Sequence, residues 1–116
     1  KLRNLEPAEK QMLTALLQSV RDGTQFCLSL EGIMASDMND GGMGSLLLVP
    51  DQDIGDRRFG RRLISGEFND TDGVPVQLGV NLDQNGRLYE LDIWKVDFSP
   101  ISKWPDSSEI RIVAET

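Results

Sequence analysis

Between Pro7 and Val20 the apolar positions recur at helical spacing. Met12, Leu13, Leu16, Leu17 and Val20 fall on one stripe, which predicts an amphipathic helix. Glu6-Pro7-Ala8-Glu9 puts proline at the first helical position, where its missing N–H is no loss, and Glu9 near the positive end of the helix dipole. Gly23 is expected to end this helix as a left-handed residue. Thr24 to about Leu30 reads as a second, short helix, although Phe26, Leu28 and Leu30 alternate as a strand would.

From Ile33 the period shortens to two, and Gly, Asn and Asp punctuate the chain. Ile33–Met38 and Ser45–Val49 read as strands around a glycine-rich tip, Asn39–Gly44, and Pro50–Arg58 as a polar loop. Two turns set the register of the next three strands. Asn85-Gly86 as a two-residue type I′ loop pairs Leu82 with Tyr89, Val80 with Leu91 and Leu78 with Ile93, so that Tyr89, Leu91 and Ile93 face the core. At Thr71-Asp72-Gly73 a two-residue loop would mix the faces. A three-residue loop with Gly73 left-handed pairs Phe68 with Val76, Gly66 with Leu78 and Ile64 with Val80, which keeps the apolar face apolar. Trp104 is expected to pack over a sheet end. Glu109–Ala114 alternates weakly, as a sixth, edge strand or a frayed end. The expected fold is a single α+β domain over residues 1–116, with one or two N-terminal helices packed on one face of a largely antiparallel five-stranded sheet, six-stranded if the last segment pairs.

On the opposite face this register lines up three rows: Glu67–Gln77–Trp94, Ser65–Gly79–Asp92 and Leu63–Asn81–Glu90. Gly79 predicts a shallow depression walled by Trp94. Three readings compete: a solvated face with no purpose, a protein-binding face with tryptophan inside a charged rim, and a carboxylate pair for acid–base work. The working expectation is a non-enzymatic module that binds a basic protein through Glu67, Gln77, Asn81, Glu90, Asp92 and Trp94. The competing one is a small enzyme or ligand binder with Glu67, Glu90 and Asp92 around Gly79.

Charge and composition narrow the classes. Nineteen acidic against twelve basic residues give a net charge of −7, which argues against general affinity for nucleic acid or anionic membrane and makes a basic partner the electrostatically easy one. The absence of histidine excludes histidine triads and histidine-ligated zinc. The one cysteine, Cys27, cannot form an internal disulfide and reads as a small buried hydrophobe. No apolar run approaches the length of a membrane span and no signal peptide is visible, so a cytoplasmic location is expected. The chain begins at Lys1 rather than Met, which leaves the true N-terminus open. No cofactor and no metal are expected, and monomer and homodimer both remain open.

Three motifs are weighed and set aside. Asn39–Gly44 lacks the lysine and following helix of a phosphate-binding loop, so it reads as a turn. Arg57, Arg58, Arg61 and Arg62 cluster within six positions, but without a further basic stripe they read as a solvated or internally paired patch. Asn81, Asp83, Asn85, Gly86, Leu88 and Asp92 match the spacing of a calcium loop, yet the flanks alternate like strands where such a loop needs helices.

Asn39–Leu48, NDGGMGSLLL, and Gly66–Ile101, with ELDIWKVDFSP inside it, resemble an uncharacterised family of small bacterial proteins with a helix ahead of a GGMGS turn. The resemblance covers most of the chain, less so Pro50–Arg62 and the residues after Pro105. It implies a fold and brings no activity with it. By analogy with small acidic bacterial proteins, it suggests an immunity or antitoxin partner.

Overall fold

The computed structural model describes residues 1–52 and 55–115, with the side chains of Ala114 and Glu115 left aside. Among the described residues, seven strands form one antiparallel sheet with two helices packed on one face. The strands are β1 (Leu2–Asn4), β2 (Met34–Asp37), β3 (Leu46–Val49), β4 (Phe59–Asn69), β5 (Pro75–Asp83), β6 (Leu88–Lys95) and β7 (Arg111–Glu115). The helices are α1 (Pro7–Leu17) and α2 (Gly23–Ser29). The spatial order is β1-β2-β3-β6-β5-β4-β7. The architecture is the expected α+β one, but seven strands replace the expected five or six. Residues 53 and 54 of the predicted polar loop lie outside the described residues.

Both edge strands have physical reasons. β1 is three residues long and too short to show alternation. It pairs with β2, placing Arg3 opposite Ala35. From there the Arg3 guanidinium grips the Glu9 carboxylate at 2.9 and 2.8 Å and Asp37 at 3.2 and 2.8 Å, tying the sheet edge to the start of α1. Glu9 also accepts the Glu6 N–H at 2.8 Å, satisfying one of the orphan donors of the first turn. At the other edge β7 pairs with β4, so the weakly alternating C-terminal segment is a strand.

Met12, Leu13, Leu16 and Leu17 of α1 are fully buried and pack into one core with Leu46, Leu48, Ile64, Phe68, Val76, Leu78, Val80, Leu91 and Ile93 of the sheet. Each such side chain removed from water contributes about 1.5–3 kcal/mol, so the helical stripe read from the sequence is what closes the core. Cys27 sits half-buried against it. Trp104 packs against the same core beside Gly44 and Ile93. The α1–α2 junction differs from expectation. The left-handed residue is Asp22 (φ 62°) and not Gly23, which opens α2. Gly23 is required for space: a Cβ there would lie 2.2 Å from the Leu17 carbonyl oxygen.

The β4–β5 register is the predicted one, with Ile64↔Val80, Gly66↔Leu78 and Phe68↔Val76. Its loop holds three residues, Gly73 is left-handed at φ 80°, and the Asp70 N–H donates to the Val74 carbonyl. The β5–β6 turn is corrected. Val80↔Leu91 and Leu78↔Ile93 hold, but Leu82 pairs with Leu88 and not with Tyr89. The Asp83 N–H donates to Arg87 and the Gly86 N–H to Asp83, so the loop is Gln84-Asn85-Gly86 with only Gly86 left-handed. This is a three-residue hairpin like the first, with one extra residue in β6 at Tyr89. Leu88 therefore takes the core position and Tyr89 is half-exposed.

β3 meets β6 over only two paired positions, Leu46↔Leu91 and Leu47↔Glu90. Side chains stitch both ends of this short ladder. Ser45 Oγ donates to the Ile93 carbonyl (3.1 Å) and accepts the Ile93 N–H (2.8 Å). At the far end the Arg57 guanidinium donates to the carbonyls of Leu48, at 2.7 Å, and Leu88. Backbone groups that have run out of a strand partner are thereby satisfied.

Candidate functional site on the open face of the sheet

Two of the three predicted outer rows stand as read: Glu67↔Gln77↔Trp94 and Ser65↔Gly79↔Asp92. The third is Arg62↔Asn81↔Glu90, with Arg62 where Leu63 was expected. A register shift in β4 between Arg62 and Ile64 turns Leu63 into the core, where it is buried. One inserted residue flips a side chain to the other face, and here it brings a cation onto a face where the alternation placed none.

Arg62 fills the depression expected at Gly79. A Cβ on Gly79 would lie 2.2 Å from the guanidinium carbon, so the glycine is what lets the side chain lie flat across the sheet. The guanidinium donates to Asn81 Oδ1 (2.6 Å), Ser65 Oγ (3.0 Å) and Asp92 Oδ2 (3.0 Å). Asn81 in turn donates to Glu90 Oε1 at 3.0 Å. Asn81 is only 5% exposed, so it is the centre of this network and not a contact residue. Glu67 pairs with Arg111 of β7 at 3.2 Å. The carboxylates proposed for acid–base work are thus each hydrogen-bonded to a neighbour. The hollow that remains beside them, lined by Arg62, Ser65, Glu67, Gln77 and Val113, has about 210 Å³ and is open to solvent. Ligand sites for small molecules usually enclose about 300–1,000 Å³.

What stands out on this face is aromatic. Trp94 is 43% exposed, and Phe98, in the turn that follows β6, is 68% exposed. Their ring centroids are 5.9 Å apart with the planes tilted by 45°. The turn is closed by the Phe98 N–H donating to the Lys95 carbonyl at 2.8 Å, and Phe98 has φ 66°. A bulky residue in the left-handed region is a true outlier, at a cost of roughly 1–2 kcal/mol. Asp97, between Val96 and Phe98, accepts both the hydroxyl and the N–H of Ser99, which hold its carboxyl below the usual range. Phe98 was not singled out from the sequence. Its only signal there is an aromatic in a post-strand turn next to an outward tryptophan.

Beneath this turn lies a charged cluster that the sequence also did not announce. Lys95 points inward, is 1% exposed, and its ammonium reaches Asp70 (2.9 Å), Asp72 (2.7 Å) and the Pro100 carbonyl (3.4 Å). Asp70 is buried, which pushes its pKa up. The Ser102 N–H, Lys95 and the Thr71 N–H outweigh that and bring it down to about 2. This cluster fixes the segment from Val96 to Ser102 against the β4–β5 turn, and so fixes Phe98.

The motifs set aside have structural roles. Asp40 accepts the N–H groups of Met43 (3.1 Å), Gly44 (3.4 Å) and Ser45 (2.8 Å), so the glycine-rich tip already closes on its own carboxylate. Arg57 and Arg62 are internally paired. The calcium-like spacing falls on a β-hairpin, where Asp83 accepts from Arg57, Asn85 and Arg87. Among the described residues no three metal-ligating side chains converge, and no helix is long and apolar enough to cross a membrane.

A family model described as a domain of unknown function, DUF6984, matches residues 2–105. No curated protein and no solved structure matches the chain.

Proposed function

Because the chain belongs to DUF6984, a family without an assigned function, we propose a role from its surface: a non-enzymatic protein-binding module that uses the open face of the sheet around Trp94. The observation that carries this is the exposed Trp94–Phe98 pair, whose second ring sits on a left-handed backbone that glycine or asparagine would occupy with less strain. Residues held in such strain cluster at binding and active sites. Gln77, Glu67, Asp92 and Glu90 form the polar rim, and aromatic anchors inside a polar rim are the usual anatomy of a binding hot spot. The net charge of −7 favours a basic partner.

An immunity- or antitoxin-like role is one form of this reading. It rests on family analogy and charge, and a toxin gene beside this one in the genome would support it. The direct test is affinity capture from the native cells with the wild-type chain and with Trp94→Ala and Phe98→Ala. The supported outcome is a basic protein held by the wild type, released by salt and lost with either folded variant. Equal capture by all three would sink the reading.

A further inference from the structure

Given the protein-binding reading above, we infer that the Trp94–Phe98 corner receives an arginine side chain from a basic segment of the partner. Two rings tilted by 45° at 5.9 Å do not cover each other's faces, so the corner between them stays open. Tryptophan presents the best aromatic face for a cation, and a guanidinium stacks on it as well as being attracted to it. The surrounding charge has the matching sign. Glu67, Glu90, Asp92 and Asp97 stand on this face and its margin against two guanidiniums, Arg62 and Arg111. The Lys95 ammonium does not oppose a cation there, because it is turned inward onto Asp70 and Asp72.

The same combination already occurs at the other end of the sheet. There the Arg57 guanidinium lies 5.0 Å above the centre of the Tyr89 ring and bonds the Asp83 carboxylate at 2.9 Å. Trp94 and Phe98 supply two rings exposed to solvent, and Asp97 directly precedes Phe98 in the turn.

The test is an NMR titration of the intact chain with a short glycine–arginine peptide, and with the same peptide carrying citrulline, which keeps the planar head and loses the charge. The indole N–H of Trp94 is identified by its loss in Trp94→Phe. It and the amides of Val96–Ser99 should shift saturably with the arginine peptide, while the indole of Trp104 stays in place. Binding should weaken about two- to fivefold with citrulline, the range an exposed cation–π contact supports, and weaken again in high salt. Phe98→Asn suits the left-handed backbone, so it should keep the amide spectrum dispersed while weakening the arginine peptide. Equal shifts from the two peptides would overturn the arginine assignment and leave a protein-binding face that does not read charge. No shift at millimolar peptide overturns it as well. In that case capture that still depends on Trp94 preserves the broader reading, and capture that does not removes both.

Discussion

The two hairpin turns of the β4–β5–β6 meander are the same device at opposite ends of the sheet. Each begins with a buried aspartate and ends with a left-handed glycine: Asp70-Thr71-Asp72-Gly73 and Asp83-Gln84-Asn85-Gly86. Each aspartate holds a cation from elsewhere in the chain, the buried Lys95 for Asp70 and the partly buried Arg57 for Asp83. They differ in what the cation does next. Arg57 comes from the loop after β3, and its remaining donors satisfy the open carbonyls of Leu48 and Leu88, so it repairs the sheet. Lys95 comes from the sheet itself and reaches out to the Pro100 carbonyl, while Asp70 takes the Ser102 N–H, so that pair fastens a tail. A turn type is local chemistry; what its aspartate anchors depends on which cation the fold delivers.

Lys95→Met gives the sharpest break in this comparison. It leaves the Asp70 carboxylate buried with two backbone N–H groups but no cation, and strips Asp72 of its partner, so urea unfolding should show a loss of about 3–5 kcal/mol. Hydrogen exchange should rise first from Val96 to Trp104. Arg57→Met should cost somewhat less, about 2–4 kcal/mol, because Arg57 serves one carboxylate where Lys95 serves two, and its side chain is less completely buried. Its exchange should rise at Leu48 and Leu88, at the opposite end of the sheet.

Acid probes the same turns without mutation. The folded-state pKa of Asp70, about 2, lies below its ordinary value of 3.8. Its contribution is therefore in place above 3.8 and is lost as pH falls through about 2. Asp72, lowered mainly by its bond to Lys95, acts in the same direction. Asp83 does too, its burial outweighed by the Arg87 N–H, Arg57 and the Asn85 N–H. Unfolding midpoints in urea should drop across that acid range, and Asp70→Asn should flatten the dependence. The smallest effect belongs to the half-exposed pair on the outer face. Asp92→Ala removes the exposed partner of Arg62, which keeps Asn81 and Ser65, and its cost should be about 0–1 kcal/mol. A thermal melt showing a loss as large as that of Lys95→Met would erase the distinction between buried and solvated pairs.

The aromatic turn depends on the first of these anchors. Lys95 supplies the carbonyl that receives the Phe98 N–H, and its ammonium holds Pro100 just beyond. Glu67, Gln77, Glu90, Asp92 and Trp94 do share one face, as alternation requires, yet they are not a purely acidic surface. The register shift at Leu63 places Arg62 among them, and Arg62 draws Asn81 and Asp92 into a hydrogen-bonded network. The prominent feature left on that face is the tryptophan, with a neighbour in Phe98.

Alternation, helical spacing and turn residues are local, and they sufficed for α1, for β4 to β6, for the three-residue loop at Gly73 and for which residues of β5 face inward. The sequence by itself therefore determined the elements and most of their pairing, because a period of two or of 3.6 sorts apolar from polar side chains without reference to distant partners. Four things had to wait for the tertiary structure: β1, the two inserted residues at Leu63 and Tyr89, the cations on Asp70 and Asp83, and the left-handed Phe98. A single extra residue in a strand is favoured by packing against neighbours far along the chain. A lysine within an alternating strand looks the same whether it meets water or two aspartates some twenty-five positions earlier. Only closing the sheet decides between them, since burial is what makes the missing partner costly.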